Sequence, residues 1–386
     1  MTKQEQATPT RLDSGDATRY VWLFWSIIGI HPFKKHRTLY WLYSVLLNFC
    51  CSAFFIAFYA VTFFVVSDLL EILANLSVMV PLIYNTAKQL VIFYHIRRTL
   101  PQAALHLHAL DRRAEQEPAA REQLKRLVQL SHRIFLTALT GIGICLTLYA
   151  MGGILRHRLP FDGWLPLDWE HSVGAYVAAC AYQLFCLIVQ CIAALCNDTY
   201  TVIYLLLLAT HLRILNARIA SLGHGECTEV ENYRQLAACV RDHWACMNFY
   251  NSIRPAIAAT LFIQFFSTAI TLCTSAVAFV NAEDSVAQLF KFLPHLLVVV
   301  CEILPCCWLM DKAALEMQDL TKSLFACRWY EQNQKFRRSL LIFMQRSQKV
   351  EKILAGDLVP VSLETFVNII KFAFSLFTLL NQIKSK

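Results

Sequence analysis

Four stretches of this chain contain no charged side chain at all: Leu39 to Val66, Ile134 to Leu155, Ser172 to Asn197 and Pro255 to Ala282. A helix needs about 20 mostly apolar residues to cross a hydrocarbon core, because lipid offers no partner to backbone N–H and C=O groups. Each stretch meets that length. Three further runs tolerate isolated ionisable residues: Leu69 to Ile96 with Glu71 and Lys88, Ser285 to Met310 with Lys291 and Glu302, and Leu358 to Ile383 with Glu364 and Lys371. The chain is 57% hydrophobic and 16% charged, too little polar residue to cover a soluble globule of 386 residues. The pattern predicts an all-α membrane protein with seven transmembrane helices.

Basic residues give the direction of threading. With the N-terminus inside, 28 of the 35 Lys and Arg fall before Leu39, between Ile96 and Ile134, between Thr210 and Pro255, or between Met310 and Leu358. That asymmetry predicts a cytoplasmic N-terminus and an extracellular C-terminus. The first 20 residues are polar and carry Lys3, Arg11 and Arg19, unlike a secretory signal. No repeat divides the chain, so residues 1–386 read as one domain, with approximate spans 39–66, 69–96, 134–155, 172–197 (extending to 222), 255–282, 285–310 and 358–383. Regions 198–254 and 311–356 are expected to be cytoplasmic helical extensions that form an anchor bundle.

The charge of +8 is spread over every cytoplasmic loop, which topology explains without nucleic acid as a partner. Fifteen cysteines sit mostly inside apolar runs or in a reducing compartment, so no disulfide framework is expected. There is no phosphate-binding loop, no His-Glu-x-x-His and no Cys-x-x-Cys pair, and the chain is not expected to be an enzyme or to need a cofactor. His106 and His108 flank Leu107 in what reads as a loop, with no third ligand near in sequence, so no metal site is expected.

In the seventh run, Glu364, Asn368, Lys371, Ser375, Thr378 and Gln382 fall within about 80° of arc on one helix face. Polar groups at membrane depth face protein or water. The stripe either packs against neighbouring helices of its own subunit or borders an aqueous ion path, and Leu379 and Ile383 near its end are bulky groups of the kind that close pores by dewetting. Lys88 and Glu302 read as structural charges near the cytoplasmic ends of their helices, Lys88 snorkelling. Asp198 and His211 read as packing and hydrogen-bonding residues.

The string Ala355-Gly356-Asp357-Leu358-Val359-Pro360-Val361-Ser362-Leu363-Glu364-Thr365-Phe366, followed by Lys371, Ser375 and Phe377, resembles the most recognisable motif of the insect odorant receptors. Weaker echoes cover most of the chain: Gly29-Ile30-His31-Pro32, Leu159-Pro160-Phe161-Asp162 with Trp164 and Pro166, Tyr182-Gln183, Asp198, His211 with Leu215, Arg241-Asp242-His243 and Gln264-Phe265. The stretch around Cys306, Cys307 and Met310 departs from the family pattern by lacking a glycine.

The resemblance implies an odorant-binding subunit of a heteromeric, non-selective cation channel. It would assemble with odorant receptor co-receptor subunits as a heterotetramer in the plasma membrane of olfactory neuron dendrites. A small volatile odorant would be the ligand and membrane lipid the surroundings. By the same resemblance the seventh helix lines the pore, with Ser375, Thr378, Leu379, Gln382 and Ile383 as pore-lining or gate candidates. The odorant pocket would lie among the second, third, fourth and sixth helices, where Met79, Leu82, Ile83, Ile144, Thr147, Met151, Tyr182, Cys186, Phe290 and Leu293 are candidates. The alternatives are a gustatory-type channel that needs no co-receptor, a G-protein-coupled receptor, which would reverse the threading, and a transporter, which would require broken, inverted helix pairs.

Overall fold

The computed structural model describes residues 13–31, 37–65, 69–155, 159, 171–225, 227–281 and 285–384. Nearly all of them are helical. The elements are α1 (Arg19–Ile27), α2 (Arg37–Asn48), α3 (Phe54–Val65), α4 (Leu69–His95), α5 (Leu100–Ala114), α6 (Pro118–Leu155), α7 (Val173–Ala220), α8 (Glu229–Asn281), α9 (Ser285–Ala326), α10 (Gln334–Ser347) and α11 (Leu363–Lys384). Four described segments are long and apolar enough to cross a membrane: Thr38–Val61, Pro118–Thr147, Val173–Ala220 and Glu229–Thr274. Each contains most or all of one charge-free stretch. The other three expected spans coincide with α4, the first part of α9 and α11.

The long helices overshoot any membrane. At about 1.5 Å per residue, the 48 residues of α7 extend roughly 70 Å, and α8 with 53 residues is longer still. Their surplus turns, with α5, the end of α9 and α10, make a base beneath the spanning bundle. Leu215, Ile219, Leu236, Leu324, Phe336 and Leu340 form a core there. Region 198–254 is therefore made of continuations of α7 and α8, whereas 311–356 holds the end of α9 and the separate helix α10.

Four departures from the sequence reading have simple causes. The first span is two helices, α2 and α3, joined by a π-helical turn over Phe49–Ala53. Residues 100–114, read as loop, form α5, whose buried Leu100, Ala103, Leu107, Leu110 and Ala114 recur every three or four positions. His106 and His108 therefore stand on a helix. The helical pattern expected to Gly356 stops at Ser347, and a two-stranded hairpin follows, β1 (Leu354–Ala355) against β2 (Val359–Pro360). Lys88 does not snorkel, because partners for its ammonium lie inside the protein.

The hairpin explains why the C-terminal motif is spelled as it is. Gly356 (φ +59°) and Asp357 (φ +57°) occupy left-handed backbone, which glycine enters freely and aspartate tolerates. A Cβ on Gly356 would lie 2.5 Å from a ring carbon of Phe262. The Gly356 amide donates to the Ala258 carbonyl of α8 (3.2 Å), and the Val361 amide to the Ile353 carbonyl (2.9 Å). Two caps then start α11: Ser362 Oγ accepts from the Thr365 amide (3.2 Å) and Asp311 Oδ2 from the Leu363 amide (2.8 Å).

The N-terminal turn docks onto the base. Ser14 donates to Asp111 Oδ2 through its amide (2.9 Å) and hydroxyl (3.0 Å), and its Oγ lies 3.4 Å from His211 Nε2. Burial pushes the Asp111 carboxyl up to about 6 and His211 down to about 4. Nearby, Arg218 (2.5 Å) and Arg113 both donate to the buried Asp242, while Arg218 also holds Glu117 (2.6 Å), tying α5, the turn before α6, α7 and α8 together. Burial raises the Asp242 carboxyl above its usual range, and the two guanidiniums pull it back.

Candidate functional site

The π-turn in the first span sets up the interior polar contacts of the bundle. A π-turn spaces its hydrogen bonds one residue wider than an α-helix, so carbonyls there are open to other partners. Tyr182 of α7 donates its hydroxyl to the Cys50 carbonyl (2.9 Å), and Cys186 Sγ lies 3.8 Å from the same oxygen. One turn on, Gln190 Nε2 donates to the Cys51 carbonyl (3.0 Å) and Ser52 Oγ (2.7 Å).

From Gln190 the contacts continue inward. Asn85 of α4 donates to Gln190 Oε1 (2.8 Å) and accepts from Asn197 Nδ2 (2.9 Å). Beside Asn197, Lys88 donates to Asp198 Oδ1 (2.7 Å) and to Gln264 Oε1. Gln264 Nε2 then donates to Glu302 Oε2 (2.6 Å) on α9. Lys88 is 2% exposed, so its charge depends on these partners rather than on water. A cavity of about 10 Å³, close to the room one water needs, lies against Lys88, Asn197, Asp198, Thr260, Gln264 and Glu302. The thread thus joins the first span, α4, α7, α8 and α9.

Sequence reasoning missed Asn85, Gln190 and Asn197, and named Gln264 only as part of the family resemblance. A signal was present: Gln183, Gln190 and Asn197 recur every seven residues along an otherwise apolar run, which places them on one side of α7.

The expected ligand positions divide into two sets. Leu82 and Cys186 are buried in one apolar core, and Met79 and Tyr182 pack against it with Phe55. Ile83, Ile144 and Met151 instead lie on the outside of the single chain, 44%, 62% and 53% exposed. Thr147 is exposed too, its hydroxyl turned back to the Gly143 carbonyl (2.8 Å). The structure thus groups the residues of α4 and α7 but does not bring those of α6 against them. Phe290 and Leu293 lie on α9, with side chains outside the described residues.

On α11 the two faces differ. Leu363, Phe366 and Ile369 pack against the core. Glu364, Asn368, Lys371, Ser375 and Gln382 are exposed and Thr378 half-buried. At about 100° per residue, the polar stripe is centred roughly 160° from the packed face. It faces away from its own subunit. Leu379, beside it, is 53% exposed, and the side chain of Ile383 lies outside the described residues.

Comparison with known proteins decides what this arrangement belongs to. Residues 68–374 match the family model described as 7tm Odorant receptor. The chain is a member of that odorant receptor family. Odorant receptor 2a of Drosophila melanogaster is 28% identical over 100% of both chains, and odorant receptor 42a of the same organism is 28% identical over 98% of this chain and 94% of its own. The olfactory receptor OR5 of Machilis hrabei, solved with and without eugenol, superimposes with a TM-score of 0.74 over 95% of this chain and 97% of its own, at 15% identity. The fold is shared although few residues are. This receptor is a multi-pass, predominantly helical membrane protein of an odorant-receiving family whose relatives are receptors rather than enzymes.

Proposed function

We propose that this receptor is the odorant-binding subunit of a ligand-gated, non-selective cation channel, assembled with co-receptor subunits in the plasma membrane of olfactory neuron dendrites. The observation that carries the reading is the orientation of α11. A polar stripe that packed within its own subunit would be covered by α8 and α9, whereas this one is turned from them. Exposed glutamate, asparagine and lysine at membrane depth would meet lipid in a lone subunit, an arrangement disfavoured by several kcal/mol. Neighbouring subunits around a water-filled axis relieve that cost.

In this reading residues 1–386 form a single seven-span domain, and the base with its basic residues faces the cytosol. The extracellular tail follows α11, with Ser375, Thr378, Leu379, Gln382 and Ile383 along or at the gate of the ion path. A small volatile binds near Met79, Leu82, Tyr182 and Cys186 and favours the open form by binding it more tightly. The remaining candidates, Ile83, Ile144, Thr147, Met151, Phe290 and Leu293, would complete the pocket wall as α6 and α9 close on it. The polar thread that begins at Tyr182 gives ligand binding a mechanical route to α8 and α9, against which α11 is packed.

Co-expression with the co-receptor and patch-clamp recording against a broad volatile panel tests this. Odour-evoked cation current that changes its ion selectivity with Gln382→Glu is the expected result. A receptor that reaches the surface and passes no current for any volatile, or a selectivity indifferent to Gln382, would count against it. Current from this subunit expressed alone would favour the gustatory-type reading.

A further inference from the structure

The docking of the N-terminal turn leaves one feature unexplained. Asp111 is 3% exposed, and although its Oδ2 accepts two bonds from Ser14, its Oδ1 has no hydrogen-bond partner. A buried carboxylate oxygen without a donor is costly. His211 Nε2 stands 3.7 Å from that oxygen, too far for a hydrogen bond.

On the solvent side stand two more donors, Asp13 from the N-terminal turn and His108 one turn before Asp111 on α5. His108 Nδ1 and Asp13 Oδ1 are also 3.7 Å apart. One donor atom from each of Asp13, His108 and Asp111 lies within 4.8 Å of the other two. Two ligands of one tetrahedral zinc, each about 2.0–2.2 Å from the metal, stand about 3.3–3.6 Å from one another. The His108–Asp13 separation is too long for a hydrogen bond and close to what two ligands of a single ion show.

We propose that Asp13, His108 and Asp111 form a zinc site that clamps the N-terminal turn to α5. The donor set is one imidazole nitrogen and two carboxylates, which suits zinc better than magnesium or calcium, whose sites are built from oxygen. Asp111 supplies the buried, pre-positioned ligand. Asp13 and His108, with side chains 41% and 52% exposed, supply the entrance and leave a fourth position for water. Because Asp13 and His108 belong to segments that meet only in the folded chain, metal binding there stabilises that docking directly. Sequence spacing concealed the site because its ligands are 95 and 98 residues apart across the first turn and α5.

The full-length receptor, purified in detergent and stripped with chelator, is titrated with zinc chloride alone by calorimetry, with tryptic cleavage at Arg19 as the second readout. The expected result is one saturable site per chain, slower cleavage at Arg19 on metal addition, and at least about tenfold weaker binding in both His108→Ala and Asp13→Asn. His106→Ala, two residues away, leaves both readouts unchanged. All three positions are at least partly exposed, so surface expression with the co-receptor reports intact folding. Absence of saturable zinc binding overturns the proposal. So does binding retained in His108→Ala and Asp13→Asn, or magnesium competing as well as zinc.

Discussion

The buried centre of the bundle and the far half of α6 are built differently although both are spanning helix. In the most apolar stretch of α8, within its spanning part, 61% of residues are buried, whereas in that of α6 the share is 11%. Along α6 alone the change is visible: Leu124, Leu127, Ser131 and Phe135 are buried near the base, while Gly141, Gly143 and Ile144 meet nothing or lie open. Charge follows packing, with Asp242 held by two arginines at the base and Lys88 gripped just above it. The lesson is a division of labour. A stiff, buried centre fixes where the helices stand, and the looser far half of α6 has room to repack around a guest.

The largest expected effect tests the stiff centre. Lys88→Met would strand Asp198 and Glu302 in the interior and cost about 3–5 kcal/mol, removing most receptor from the cell surface. Lys88→Met with Asp198→Asn should recover part of the loss, measured by surface labelling. Wild-type surface levels in the single variant would break the contrast. Gly356→Ala comes next, since it combines left-handed backbone with contact against Phe262. A cost of roughly 2–3 kcal/mol and a lower melting temperature in detergent are expected.

The far half of α6 should respond in the opposite manner. Ile144→Ala, at an exposed position, should change stability by less than about 0.5 kcal/mol. If repacking around ligand recruits α6, it should nevertheless shift odorant potency by several-fold in calcium imaging. Unchanged potency would remove α6 from the pocket. The smallest effect concerns His243, which burial, helped by Arg346, pulls down to about 4 from 6.5. An unfolded chain takes up that proton below pH 6.5 and the folded one does not, so the stability His243 contributes is complete above pH 6.5 and fades as pH falls towards 4. The drop in melting temperature between pH 7 and pH 5 should be smaller in His243→Gln.

What could be read in advance followed from lipid. The charge-free runs had to be helices, and the stripe on α11 showed itself because its period is local. Asn85, Lys88 and Gln264 were legible as polar residues but not as a network, since Lys88 meets partners 110 and 176 positions away. Lys88 was misread for that reason: near a helix end, reaching towards water is the simpler solution, and only the fold supplies Asp198. The hairpin escaped because strands of two residues have no period. Among the ligand candidates, Leu82 and Cys186 were separable from Ile144 and Met151 only by knowing which side of each helix its neighbours cover.

The manner in which α11 begins has a mechanical consequence. Its first turn is fastened by the hairpin amide on Ala258, by Asp311 and by Ser362, whereas from Lys371 onwards its described side chains are largely outside the subunit core. A rod clamped at one end and loose at the other moves most at its tip. A tilt of a few degrees at the clamp, too small to disturb the packing there, is carried along about 33 Å of helix and becomes a displacement of an ångström or two at Leu379 and Gln382.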